Sequence, residues 1–452
     1  MRNHFAVAAL ALSIGPAWGD ASHKTLSNGM KVIVKEDHRS PVVVSMVWYK
    51  AGSMDESAGN TGVAHVLEHM MFKGTKTVPA GRFSRLIAEA GGRDNAFTGK
   101  DYTAYFQQLH KSKLPLALKL EADRMSDLIL TKEEFAKEIN VVMEERRWRT
   151  DDQPHSLVYE NLLATAYQSH PYHHPVIGWM DDLMNMQVAD AKTWYDRWYA
   201  PNNATLVVVG DVQAEEVFAL AQKYFGSIKP EQMPQRKPQK EPPQKGMRTV
   251  TVKAPAELPY LMMAWHVPVL RDVKEDWEPY ALDVLTGVLD GSEAARLNQS
   301  LVREQQLASS VGAGYDAAAR GPGMFLIDAT PVAGKTADDL ETAIREEIKK
   351  IVAEGITEEE LTRVKAQVVA DEVFKRDSMF YQAMQIGQLE TAGLPYDSMD
   401  AIVDKLKQVT AEQVQKVARK YLIDDSLTVA TLDPQPLSEK KAAPPAQGAR
   451  HD

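Results

Sequence analysis

Apolar positions along this chain change their period several times, and the changes mark out its elements. Val32-Ile33-Val34 and Val42-Val43-Val44-Ser45-Met46-Val47 are β-branched runs bounded by Asn28-Gly29 and Ala51-Gly52, so Lys24 to Lys35 and Pro41 to Lys50 read as paired strands. Helical spacing takes over from about Val63. In the helix expected from Lys132 to Arg149, Phe135, Ile139 and Val142 form the buried stripe and Glu144 points away from it. Glu138 and Glu145 sit two turns apart on its border.

From Ile228 to Met247 the sequence IKPEQMPQRKPQKEPPQKGM has no apolar period and reads as an extended linker. The segments on either side of it end alike. Ala189 to Ala200 leads into Thr205–Asp211, as Ala411 to Tyr421 leads into Ser426–Thr431. The pattern predicts an α+β protein built from two copies of one unit, residues 20–227 and 248–433, with a disordered tail over 434–452.

Composition narrows the possibilities. A formal net charge of -10 and the absence of a basic run argue against a nucleic-acid partner. There is no cysteine, which excludes disulfides, thiolate metal sites and a cysteine nucleophile. Any tightly bound zinc must use histidine and carboxylate ligands. The first 19 residues pair the basic start Met1-Arg2-Asn3-His4 with an apolar run from Phe5 to Ile14 and small residues before Asp20. This reads as a secretory signal, so the mature chain is expected to be secreted, in the periplasm, without a membrane span. The alternative is a buried first helix or an anchor, but the run is shorter than the ~20 residues a span needs.

The chemistry concentrates in Gly62-Val63-Ala64-His65-Val66-Leu67-Glu68-His69. Histidines at i and i+4 share one face of a helix and can converge on one ion, with Glu68 beside them as a base for a water. That spacing, H-x-x-E-H, is the inverted metallopeptidase signature. Chance produces it in about one chain of this length in a hundred; the bland reading is a helix edge with two unconnected histidines. A catalytic zinc needs a third protein ligand. Glu138 and Glu145 are both available, one as ligand and the other as support, and both also suit ordinary boundary carboxylates.

The run HVLEHMMFKGT from His65, then Gly91-Gly92-Arg93-Asp94-Asn95-Ala96-Phe97-Thr98, then KEINVVMEERRWR, resembles the pitrilysin–insulinase family of zinc peptidases, in its short bacterial processing-peptidase-like form. The resemblance covers nearly the whole mature chain. It implies half of a clamshell, made of two largely antiparallel sheets packed with helices, only one of which carries a metal site. It implies Zn2+ held by His65, His69 and Glu145, Glu68 as base, and Glu138 as a further functional glutamate. It also implies an edge strand at Asn95, Ala96 and Phe97 that takes up extended peptide, although Asn95 equally suits a turn after Gly91-Gly92. Tyr172-His173-His174-Pro175 resembles another family segment, and its histidines fit packing or capping better than ligation.

One segment departs from the family pattern. Active members use an Arg and a Tyr in L-x-R-E-x-x-L-x-Y, whereas this chain has Leu301-Val302-Arg303-Glu304-Gln305-Gln306-Leu307-Ala308-Ser309-Ser310, with serine in the tyrosine's place. Arg303 remains a substrate-binding candidate. The expectation is a homo- or heterodimer in which a related subunit supplies the Arg–Tyr pair, or else Tyr315 substitutes from a shifted position. Two rival readings are a noncatalytic, chaperone-like subunit and a protease-like role in maturing a peptide-derived cofactor.

Overall fold

The computed structural model describes residues 21–237 and 239–437, so the expected signal segment and the tail from 438 onward lie outside the described residues. The first half runs β1 (Ser22–Thr25), β2 (Lys31–Glu36), β3 (Val42–Tyr49), α1 (Val63–Met70), α2 (Arg82–Glu89), β4 (Arg93–Thr98) and β5 (Thr103–His110). It continues through α3 (Leu114–Asp127), α4 (Lys132–Arg146), α5 (Pro154–Ala166), α6 (Met180–Asn185), α7 (Val188–Trp198), β6 (Ala204–Gly210) and α8 (Ala214–Phe225). The second half runs β7 (Arg248–Pro255), β8 (Tyr260–Val267), α9 (Glu278–Asp290), β9 (Ala308–Tyr315), β10 (Gly323–Pro331) and α10 (Ala337–Glu354). It ends with α11 (Glu358–Lys375), α12 (Met379–Ala392), α13 (Met399–Gln408), α14 (Ala411–Tyr421) and β11 (Leu427–Gln435).

The sheets have the orders β1-β2-β6-β3-β5-β4 and β7-β11-β8-β10-β9. The second repeats the first without β1: β2 with β6 and β7 with β11 are parallel, and the other neighbours are antiparallel. The repeat expected from the sequence is therefore present. The pairing expected for the first two β-branched runs is not. Both form strands, but β6 lies between β2 and β3, pairing Val34 with Val208 on one side and Met46 with Val207 on the other. β11 extends through Gln435, so the first two residues of the expected tail belong to the sheet.

Helices of each half cover one face of its own sheet, and the other face is covered by a helix from the opposite half. α12 sets Met379, Ala383 and Ile386 on Ile33, Val44, Met46, Trp48, Val207 and Val209. α5 sets Val158, Leu162 and Leu163 on Tyr260, Met262, Ala430 and Leu432. Three such side chains contribute roughly 5–9 kcal/mol before entropic costs, enough to make the halves one body. Gly387 permits the closest approach, since a Cβ there would stand 2.0 Å from Trp48 Cε2. Polar ties reinforce the exchange. Arg320 bonds both oxygens of Asp55 at 2.8 and 3.1 Å, and Lys31 pairs with Glu390 at 2.7 Å.

The described residues between 229 and 245 form no helix or strand, and the segment is strapped down. Asn202 exchanges two hydrogen bonds with the Glu231 backbone at 2.8 and 3.1 Å. Arg236 stacks on Trp198 and bonds Asp55 at 2.8 Å. The Glu241 carboxylate accepts from the backbone N–H groups of Gln168, Ser169 and His170 at 2.7, 2.9 and 2.9 Å.

Candidate metal centre

α1 starts at a tight backbone crossing. Gly62 has φ +89°, and a Cβ there would lie 2.5 Å from the Ile177 carbonyl oxygen. The buried Glu56 carboxylate accepts from Gly62 N at 2.8 Å and Ala64 N at 2.9 Å, which satisfies donors left free at the helix start and complements its dipole. Burial pushes the Glu56 carboxyl well up, against those two bonds. Held this way, α1 buries Val63, Val66, Leu67 and Met70 and turns His65, Glu68 and His69 toward α4.

α4 is capped by Thr131, whose side chain accepts from Glu134 N at 3.2 Å. The helix buries Phe135 and Val142, as the stripe implied, together with Glu138 and Arg146. Arg146 makes a double ion pair with Glu160 of α5 at 2.8 and 2.9 Å and donates to the Gly178 carbonyl at 2.9 Å. The residue beside Glu145 thus fastens this end of α4 to α5 and to the loop that crosses Gly62.

The two helices bring three side chains together. Glu145 Oε2 lies 3.3 Å from His69 Nε2 and 3.8 Å from His65 Nε2, and one ligand atom from each of the three lies within 4.8 Å of the others. Glu138 Oε2 meets the other His69 nitrogen at 3.3 Å, and Lys73 pairs with Glu138 Oε1 at 2.6 Å. Arg149 pairs with Glu145 Oε1 at 2.6 Å. Glu68 accepts from Thr98 Oγ1 at 2.5 Å.

These contacts set the charges. Burial, with the neighbouring His69 charge, holds His65 down to about 4, so it is neutral. Burial also opposes charge on His69, but its bonds to Glu138 and Glu145 and the Glu68 charge outweigh this and carry it up to about 9. The His69 bond, ahead of an opposing burial effect, holds Glu145 down to about 2. Burial raises Glu68 despite the Thr98 hydroxyl.

Do these groups fit a zinc ion? Two imidazoles and a carboxylate are its usual donors, and tetrahedral ligands at zinc distances stand roughly 3.3 Å apart. Nε2 of His65 and Nε2 of His69 both face Glu145 Oε2, at 3.8 and 3.3 Å, close to that spacing. Burial keeps the His65 ring neutral, the form in which an imidazole binds a metal. The donor set fits.

The other residues singled out from the sequence fall elsewhere. Asn95, Ala96 and Phe97 lie on β4, the last strand of the first sheet, whose outer edge pairs with no strand among the described residues. Asn95 is exposed, Ala96 packs on the first core, and Phe97 meets Trp48, Tyr102 and Phe106. Arg303 is exposed near the end of a short helical segment, Asn298–Glu304, and pairs with Glu293. The Tyr315 hydroxyl donates to the Pro268 carbonyl at 2.6 Å. Neither shares a hydrogen bond or ion pair with the cluster among the described residues. His173 bonds the His170 carbonyl at 2.8 Å, and His174 lies 3.9 Å from Glu56; both are packing groups. Sequence reasoning missed Glu56, Lys73, Thr98, Arg146 and Glu160.

Residues 31–179 match the family model described as Insulinase (Peptidase family M16), and residues 185–368 match the one described as Peptidase M16 inactive domain. The chain belongs to peptidase family M16. This M16 chain is 33% identical over 417 residues to a Helicobacter pylori protein named Zinc protease PqqE, covering 91% of this chain and 92% of that one. It is 27% identical to a Bacillus subtilis protein named Uncharacterized zinc protease YmxG, covering 89% and 95%. A crystal structure of a protease from Helicobacter pylori superposes with a TM-score of 0.87 at 32% identity, covering 92% of this chain and 99% of that one. The first half of the Escherichia coli periplasmic protease PqqL shares the fold, with a TM-score of 0.78 at 20% identity, covering 93% and 94%. The inactive-domain model takes in α7, β6 and α8, which in this M16 chain belong to the half that carries His65, His69 and Glu145. Among the described residues, no helix is long and apolar enough to cross a membrane.

Proposed function

We propose that this chain is a zinc-dependent endopeptidase acting on peptides or unfolded polypeptide segments. His65, His69 and Glu145 hold the metal. A zinc ion bound there would polarise the scissile carbonyl and acidify a water. Glu68, mostly buried and with its carboxyl raised, takes the proton of the attacking water and returns it to the leaving amine. Glu138 orients the His69 ring through Nδ1, steadied by Lys73. The open edge of β4 at Asn95, Ala96 and Phe97 takes up the peptide through backbone hydrogen bonds. The observation that carries the reading is the meeting of His65, His69 and Glu145 around one point, with both histidine Nε2 atoms facing Glu145 Oε2.

α5 and α12 each pack on the sheet of the opposite half, which holds the two halves together, so enclosing the site calls for a second chain. We propose a related subunit that closes over the site and brings an Arg–Tyr pair, with Arg303 the cation on this chain's side. The chain works after export, in the periplasm. The direct test is metal analysis beside a peptide-cleavage assay of the full chain, with and without a partner. Glu68→Gln is expected to keep zinc and lose turnover; normal turnover in that variant would contradict the assignment of the base. Serine in the tyrosine's place, with Tyr315 committed to Pro268, favours a second reading as a noncatalytic subunit. Zinc binding without cleavage under any pairing would support that one.

A further inference from the structure

Thr98 stands where the proposed substrate strand meets the proposed base. Side chains alternate along β4, so Asp94, Ala96 and Thr98 share one face and Arg93, Asn95 and Phe97 the other. The first face meets the helices. Asp94 accepts from Ser84 of α2 at 2.7 Å, Ala96 packs on the first core, and Thr98 donates to Glu68 of α1 at 2.5 Å. The second face lies on the aromatic cluster, with Phe97 5.5 Å from Trp48 between ring centres. The outer backbone edge is thus left for a peptide while one side chain of the strand reaches back to the base.

Glu68 needs such a contact. Its carboxylate makes no other hydrogen bond or ion pair among the described residues, and an unrestrained glutamate populates many rotamers around any one useful direction. The Thr98 hydroxyl fixes Oε2 and leaves Oε1 free. We propose that Thr98 is a positioning residue for Glu68, which couples the strand that binds extended peptide to the group that moves the proton. This rests on the peptidase reading above.

Thr98→Val keeps the β-branched shape a strand favours and removes only the donor; Thr98→Ser keeps the donor. With quenched fluorogenic peptides and the full chain, Thr98→Val is expected to lower kcat about ten- to a hundredfold, the effect of losing a hydrogen bond to a charged group. KM and zinc content are expected to stay within about twofold of the unaltered chain, and Thr98→Ser to recover most of kcat. Affinity for a phosphinic peptide, which mimics the tetrahedral state, is expected to weaken by the same factor in the valine variant and to recover in the serine variant, and needs no turnover to be read. A melting temperature checks that each variant is folded; should the valine variant not fold, Thr98→Ala against Thr98→Ser makes the same comparison. Undiminished kcat and phosphinate affinity in Thr98→Val, with Glu68→Gln inactive, overturn the Thr98 role alone. Loss of zinc, or a raised KM at unchanged kcat, overturns it too. Equal cleavage by the unaltered chain and Glu68→Gln, or none by the unaltered chain under any pairing, overturns the peptidase reading beneath it.

Discussion

Replacing Glu160 by alanine tests whether the metal centre depends on an anchor outside it. Arg146 is 5% exposed and spends two hydrogen bonds on Glu160, at 2.8 and 2.9 Å. Without Glu160 the guanidinium stays buried with the Gly178 carbonyl at 2.9 Å and Asp151 at 3.4 Å. Breaking a buried pair on one side costs about 3–5 kcal/mol, and the remaining partners put this case at about 3. At about 2.1 cal/mol/K per residue over about 415 described residues that unfold as one body, melting should fall by about 3–4 °C. Glu145 is the neighbour of Arg146, so zinc affinity should fall about ten- to a hundredfold as well, the usual effect of losing an outer support. Calorimetry and zinc competition against a fluorescent chelator read the two effects separately. Glu144→Ala, at an exposed position on the same helix, serves as control and should shift stability by less than about 0.5 kcal/mol. A Glu160 variant that melts and binds zinc like its parent would refute the claim that this pair holds Glu145 in place.

Other outcomes follow from the fold. Gly387→Ala places a Cβ 2.0 Å from Trp48 Cε2, so urea unfolding should show a loss of about 1–3 kcal/mol from overpacking; an unchanged midpoint would mean that α12 does not lie on the first sheet. Burial holds His170 and His174 down to about 4 in the folded chain, against about 6.5 when unfolded. Between those values the unfolded chain binds more protons, so stability falls as pH is lowered from about 6.5 toward 4, by about 2 kcal/mol for each histidine at pH 5. Urea midpoints at pH 7 and pH 5 should separate accordingly, and less so in a His170→Gln, His174→Gln double variant. Equal separation in both proteins would clear these histidines of the effect.

Local periodicity carried much of this. His65 and His69 had to share a helix face, and the border of the Phe135–Ile139–Val142 stripe had to present Glu138 and Glu145, because both follow from 3.6 residues per turn within one element. What failed depended on partners far along the chain. β2 and β3 read as neighbours because nothing near them in sequence announces β6. The exchange of α5 and α12 was hidden because Leu162 and Leu163 show that a helix is buried, but not under which sheet. Nothing near Arg146 in sequence marks Glu160, in the next helix, as its partner. Thr98 was assigned to a strand, but the face it occupies depends on where α1 crosses. Glu56 sits in a loop, where no period distinguishes a cap from a solvated carboxylate.

The measurement closest to the central claim is metal content after equilibrium dialysis against buffered trace zinc, for the chain from which any signal has been removed and for its His65→Ala, His69→Ala and Glu145→Ala variants. One zinc per unaltered chain is expected, and little or none in each variant, with each variant still folded by circular dichroism. An unaltered chain that takes up no zinc, or a Glu145→Ala chain that holds it as tightly as its parent, would contradict that claim.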